Sequence, residues 1–545
     1  MVKRQSGSKK RCGGRDSAMR VLLVEPDYRS TRDRPRTQSG DAAWSKPSDE
    51  TLWYPPLGLM KIARFHKDRG DVVQFVRGCS SGAFARGDLF RPEEIWDRVY
   101  ITTVFTYHFE IVVKTVQFYL DAVSGDRSRL FVGGMMATLM GKEIEKETGV
   151  RPIVGVLNSP HQIGLRGTSN IDLLPADYDL VDDTLYAVND TFYAYTTRGC
   201  TNKCPWCAVP RIEPSYVPYI DIKPTLGALR KAYGDKARLK LMDNNVLVSP
   251  QLGKIVDDLL ALGYGRGEHT DARPRKQRVI DFNQGLDASH LTEEKMRLLS
   301  SLNIRPMRIA FDRAKEKRTY LRALRLARKY GVDLFSNYML YNFEDTPKGL
   351  YERLRVNIEL NEEWVADHAG ARSGKIYSYP MRFAPIHNTN GERENRSREA
   401  QNGSGERSRA WLTEPAWTKR FTRNVAVMTG AAHGAISPTP SLAWRTIGHT
   451  FEEFLTNLYM PEELLRNRSK HEKRVYPGER KHRRGTGKVE TFRSFVLRLL
   501  RRQDARFWKF HEAVSQNSAK AIRACLKKRP DSEMRKWLRL YLKKR

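Results

Sequence analysis

The chain has 545 residues, 40% of them hydrophobic and 10% aromatic. That is enough to bury two or three ordinary cores, and it excludes full disorder as a global description. No stretch approaches the roughly 20 uninterrupted apolar residues of a membrane span, and the basic N-terminus runs only into the short segment VLLV with no cleavage-site pattern, so a cytoplasmic location is the default expectation. The formal net charge of +33 sits mainly at the two ends: residues 1–20 carry seven Lys/Arg against one Asp, and residues 461–545 carry 27 Lys/Arg against nine Asp/Glu. Cations interleaved with aromatics, as in RRQDARFWKF, are the footprint of contact with a polyanion, with a solvated charge-rich helical face as the equal alternative.

The elements predicted in chain order fall into five stretches. A basic arm covers 1–18, and Met19 is a second candidate start. From 19 to 185 strands alternate with helices: MRVLLVEPDY, DVVQFV, RVYITTVF and RLFVGG as strands, YPPLGLMKIARFHKDRG and FEIVVKTVQFYLDAV as helices, the first of these ended by Gly70. This pattern predicts a doubly wound parallel α/β sheet, in which Gly133 and Gly134 follow a strand and are candidates either for close approach to a ligand or for a plain turn.

From 186 to 387 the alternation becomes more regular. Strands TFYAYTT, RLKLMD, RVIDFNQG, PMRIAFD, DLFSNYMLY and KIYSYPM are joined by five helices, with Ser249 and Pro250, Thr292 with Glu293 and Glu294, and Thr346 with Pro347 as helix-start signals. Six strands and five helices predict an open or partial (β/α)6 barrel, whose chemistry collects at the C-terminal ends of its strands. Residues 388–410 are almost devoid of apolar side chains and read as a linker. Residues 411–545 read as an α-helical, strongly basic C-terminal extension, with PAWTKRFTRNVAVMTGAAHGAIS and TFEEFLTNLYMPEELL at helical spacing.

Of the six cysteines, Cys12, Cys79 and Cys525 are scattered, which is not the plan of a secreted disulfide scaffold, while Cys200, Cys204 and Cys207 sit together in RGCTNKCPWCAVP at one strand end. Three thiolates could supply most of a zinc site, but structural zinc takes four protein ligands, and His161 and His269 stand in no ligand-like spacing. Buried structural cysteines fit poorly with a loop rich in Lys, Pro and Asn. A cubane of four irons held by three cysteines leaves one iron open to a non-protein ligand.

GCTNKCPWC resembles the cluster loop of the radical S-adenosylmethionine superfamily, C-x3-C-x2-C with an aromatic before the last cysteine, here Trp206. In that superfamily the loop follows the first strand of a partial β/α barrel, as Cys200 follows YAYTT. The resemblance implies that Cys200, Cys204 and Cys207 hold a 4Fe-4S cluster. Its open iron would bind S-adenosylmethionine, and one electron, from a donor such as flavodoxin or ferredoxin, would release a 5'-deoxyadenosyl radical that abstracts hydrogen from substrate. It also implies candidate cofactor-binding residues: Asp243, Asn244 and Asn245 after the second strand, Gln284 and Asp287 after the third, Arg308 and Asp312 on and after the fourth, and Asn337, Tyr338 and Tyr341 on the fifth. Each has an ordinary capping or loop role as its alternative. The stretch 19–185 is similar to the cobalamin-binding domain that precedes the radical domain in one subgroup. It lacks the D-x-H-x-x-G whose His ligates cobalt, so it either binds cobalamin with no protein ligand or retains only the fold.

The substrate is not fixed by fold. The cationic ends favour nucleic acid. The competing readings are a non-catalytic Fe-S protein that binds nucleic acid, and a radical enzyme acting on a peptide or small metabolite whose tail docks it to a partner. Methylthio transfer to tRNA is disfavoured, because the additional N-terminal cysteine set of those enzymes is missing.

Overall fold

A computed structural model describes residues 18–28, 52–81, 96–366, 374–383, 415–430, 434–474 and 485–542. The basic arm through residue 17, the linker at 388–410 and residues 431–433 of the expected AAHGAIS stretch lie outside the described residues. The chain is α/β, with parallel sheets and many helices. No described helix is long and apolar enough to cross a membrane. Two compact units result: one runs through Thr191 and includes Pro224–Gly234, and the other comprises Phe192–Lys223 and the chain from Asp235 onward.

In the first unit, β1 (Arg20–Glu25), β2 (Val72–Arg77), β3 (Arg98–Thr103) and β4 (Leu130–Gly134) form a parallel sheet in the order β2-β1-β3-β4. β1 is apolar from Val21 to Val24 and buried at all but its first residue, as suits a central parallel strand. Val21, Leu23, Leu59, Ile62, Phe65 and Tyr100 form the core between this sheet and the helix Leu57–Asp68. His66 is a core residue: its Nδ1 lies 2.7 Å from Asp71 Oδ2 and its Nε2 3.0 Å from the Tyr100 hydroxyl. At the carboxyl edge, Tyr28, Phe105, Tyr107 and His108 stack against one another, His108 lying 4.4 Å from Tyr107 and 5.0 Å from Tyr28. The helix Lys223–Tyr233, expected as the first helix of the second α/β stretch, groups with this unit instead. The Tyr233 hydroxyl donates to Asp177 at 3.1 Å and its ring packs against Tyr178.

The second unit contains β5 (Thr191–Ala194), β6 (Arg238–Leu241) and β7 (Val279–Phe282) in one three-stranded sheet, and β8 (Met307–Arg308), β9 (Leu334–Tyr341) and β10 (Lys375–Arg382) in another. The strands adjoin in chain order, and parallel bridges Ile280 to Ile304 and Leu286 to Ile309 continue the series from the first sheet into the segment around β8. β8 is only two residues long; Pro306 has no N–H to give to a ladder. The expected cap at Ser249 and Pro250 gives way to a helix at Leu252–Ala261, because Ser249 Oγ donates to the Pro218 carbonyl at 2.5 Å and accepts from Gln251 N, closing a turn ahead of the helix. Thr292 caps Glu293–Leu299 as expected, accepting from Lys295 N.

After β10 the described chain is helical. TFEEFLTNLYMPEELL is two helices, Phe451–Tyr459 and Glu462–Arg466, split where Pro461 interrupts the hydrogen-bond ladder. Asn424, from the helix Lys419–Gly430, donates to the carbonyls of Asn457, Leu458 and Met460 left open there. Ile436 forms an antiparallel bridge with Ser378 on the outer edge of β10. The chain then continues through helices Lys488–Arg502, Ala505–Ser515, Ala519–Lys527 and Ser532–Leu540.

Candidate functional site

The cysteine loop leaves β5 through Thr196 and Thr197, and both are pinned to Asp243, just past β6. Asp243 Oδ1 accepts from the backbone N–H and hydroxyl of each threonine. Asp243 is buried, its Oδ2 has no hydrogen-bond partner among the described residues, and burial pushes its pKa upward against those four donors. Gly199, one residue before the first cysteine, has φ +72°, and a Cβ there would stand 2.7 Å from the Ser215 carbonyl oxygen, so the turn requires glycine. Its N–H donates to Glu213 Oε2 at 2.7 Å; Arg198 and Asn244 hydrogen-bond to the same carboxylate at 2.7 and 2.8 Å. Glu213 therefore sets the entry to the loop.

The three thiols are free and partly buried. Cys204 is pushed up to about 11 by burial and by the neighbouring Cys207 and Cys200, and burial raises Cys207 as well. At neutral pH these two are thiols, so ligation would release their protons. Cys200 Sγ accepts from Asn202 N at 3.4 Å and from Asn245 Nδ2 at 3.6 Å, and both asparagine side chains also reach Asp287 Oδ2, at 2.8 and 3.5 Å. Trp206 packs edge-on against Phe343 at 5.8 Å, with the Arg313 guanidinium 5.0 Å from its ring centroid. Among the described residues, no three His, Cys, Asp or Glu side chains stand as a ready-made metal cage. The donor set nevertheless fits an iron–sulfide cluster: three thiols on one short loop, and N–H groups aimed at sulfur, which tune such clusters.

Of the residues expected to bind cofactor, Asp243, Asn245 and Asp287 gather around the loop, while Asn244 is turned to Glu213. Asp312 lies close enough to raise Cys204 and Cys207 electrostatically. Its own carboxyl, raised by burial, accepts from Leu340 N. Gln284 is exposed. Arg308 is committed to Asp281 and to Ser336. Asn337, Tyr338 and Tyr341 do not share a face. Tyr338 shares the Arg308 side, donating to the Asn283 carbonyl, whereas Asn337 bonds to Tyr320 on a flanking helix and Tyr341 packs against Trp417. Strand alternation puts odd and even positions on opposite sides. Thr196, Thr197, Asn202 and Glu213 were missed because long-range hydrogen bonds follow no spacing rule, and Arg313 because its contact with the Trp206 ring follows none either.

No family model and no curated protein matches the chain. Several solved structures resemble it, among them these two. One is the radical S-adenosylmethionine methyltransferase TsrM from Kitasatospora setae, with cobalamin and a 4Fe-4S cluster bound: TM-score 0.41, 14% identity, 67% of this chain and 75% of that one covered. The other is OxsB, a cobalamin-dependent S-adenosylmethionine radical enzyme in its apo form: TM-score 0.38, 12% identity, 63% of this chain covered but only 52% of that one. Likeness at that level assigns no residue a role.

Proposed function

We propose that this chain is a radical S-adenosylmethionine enzyme, with Cys200, Cys204 and Cys207 as the ligands of a 4Fe-4S cluster, residues 186–387 as its partial β/α barrel and 19–185 as a cobalamin-binding-like domain. The observation that carries this reading is the cysteine loop itself: three free thiols at a strand end, two N–H groups directed at Cys200, and oxygens on Asp243 and Asn245 nearby that have no partner among the described residues. When bound, the cluster and S-adenosylmethionine would supply a 5'-deoxyadenosyl radical for hydrogen abstraction.

The residues divide the remaining work. Asp243 Oδ1 is spent on Thr196 and Thr197, which leaves Oδ2, with Asn245 Oδ1, to accept from the ammonium of the methionyl group. Glu213 holds Arg198, Gly199 and Asn244 so that the loop keeps its shape. Trp206, clasped between Phe343 and Arg313, shields the loop from water.

Cobalamin, named with both structural neighbours, would lie at the carboxyl edge of the first sheet among Tyr28, Phe105, Tyr107 and His108, beside the switch point between β1 and β3. Titration of the chain with hydroxocobalamin, read by its visible spectrum, tests that edge. For substrate, the charge of residues 461–545 supports a nucleic acid. The same charge supports the second reading, a nucleic-acid-binding protein whose cluster does not turn over.

Anaerobic reconstitution with iron and sulfide, followed by reduction in the presence of S-adenosylmethionine, should give about four irons per chain and 5'-deoxyadenosine. Cys200→Ala, Cys204→Ala and Cys207→Ala should lose both, and Cys79→Ser neither. Iron without 5'-deoxyadenosine selects the non-catalytic reading, and no iron removes both.

A further inference from the structure

The last two helices, Ala519–Lys527 and Ser532–Leu540, frame a cleft of about 470 Å³ lined by Leu526, Arg529, Arg535 and Arg539. Neighbouring arginines are neutralised: Arg498 pairs with Glu533, and Arg506 reaches Asp531 at 2.9 Å and Glu533 at 3.0 Å. The three cleft arginines have no carboxylate partner among the described residues; Arg535 donates only to the Pro530 carbonyl, at 3.0 Å. Three guanidiniums in one concavity without a counter-charge repel one another unless an anion joins them.

Arg529 adds an independent observation. It has φ +46°, just beyond the C-cap residue Lys528, where glycine or asparagine is the low-strain occupant. A long cationic side chain is held there at a conformational cost, which points to the side chain as the reason.

Three features narrow the ligand. Arginine forks match phosphate oxygens two at a time. Exposed Lys527, Lys528 and Lys536 extend the charge on both sides of the cleft, which suits a polymer with repeating phosphates better than a single ion. No large hydrophobic side chain is exposed among described residues 485–542, so nothing there would enter a bilayer. We infer that this cleft docks the phosphodiester backbone of a nucleic acid. The inference rests on the nucleic-acid part of the proposed function and is independent of the cluster.

The test uses the full chain and a fluorescein-labelled, mixed-sequence single-stranded RNA longer than about 16 nucleotides, titrated by anisotropy between about 50 and 200 mM salt. Replacing all three arginines by glutamine should weaken binding about tenfold or more and flatten the plot of log affinity against log salt by about 2, near 0.7 per lost contact. Arg529→Gly should weaken binding while leaving the melting temperature equal or higher, a combination that a structural role cannot produce. Equal affinity and slope for wild type and the triple variant overturn the inference. So does binding of polyglutamate, or of phosphatidylserine vesicles, as strong as that of RNA. Because no iron is needed, failure of the 5'-deoxyadenosine assay leaves this result standing, and the reverse holds too.

Discussion

Arg308 grips Asp281 with two prongs of its guanidinium, Nε to Oδ1 at 2.6 Å and Nη2 to Oδ2 at 2.8 Å, across the gap between β8 and β7. Both side chains are largely buried, so removing one leaves the other's charge largely buried without this counter-charge. Asp281→Asn should cost about 3 kcal/mol or more in urea unfolding. The double variant with Arg308→Met should cost less than Asp281→Asn alone, because the stranded charge is gone. A double variant as unstable as the sum of the two would show that the pair is not the unit that matters.

Asp243 makes two separable contributions. Asp243→Asn keeps an oxygen for Thr196 and Thr197 but removes the negative charge offered to an ammonium. On the reconstituted chain, calorimetry should find S-adenosylmethionine bound some tenfold to hundredfold more weakly, the equivalent of about 1.5–3 kcal/mol for a hydrogen bond to a charged group. Asp243→Ala leaves four donors without an acceptor and should lower the melting temperature, whether or not ligand is added.

His511, between Tyr459 and Ser515, is driven by burial down to about 4. A histidine that stays neutral when folded but takes a proton near pH 6.5 when unfolded stabilises the fold fully above that pH. The contribution falls as acid is added, from about 6.5 down to about 4, and on the order of 3 kcal/mol is lost over that window. Thermal melts at pH 7 and pH 5 should differ accordingly, and His511→Asn should flatten the difference.

Gly133 and Gly134 are expected to respond differently to alanine. A Cβ on Gly133 meets nothing within 4 Å, whereas at Gly134, with φ +109°, it would fall 2.2 Å from the Thr103 carbonyl oxygen. Gly134→Ala should therefore cost well over 1 kcal/mol and Gly133→Ala much less, as read by denaturant midpoints. The necessity at Gly134 is one of backbone packing between β3 and β4.

Much of this architecture could be read from residue patterns, and the exceptions have identifiable causes. VLLV announces itself because both faces are covered and its apolar residues run without interruption, and the later strands through their regular alternation with helices. β8 shrinks because Pro306 precedes it, and Ser249 misleads because a serine closing a turn looks, in sequence, like one capping a helix. The cysteines were legible through spacing alone, and Asp243, Asn245 and Asp287 through their positions after strands. Asn337 and Tyr341 lie on the opposite side of β9 from Tyr338, since a strand sends alternate side chains to opposite sides. Glu213 could not have been found: nothing in its neighbourhood marks a carboxylate that gathers Arg198, Gly199 and Asn244.

Ile436 gives its N–H to the Ser378 carbonyl at 2.7 Å and so occupies the rim of β10, which among the described residues has β9 as its only strand neighbour. A terminal strand with open amides and carbonyls invites pairing with a second molecule. A version of the chain shortened to end soon after β10 would therefore be expected to self-associate, which gives the segment that follows a part in keeping the sheet's rim covered.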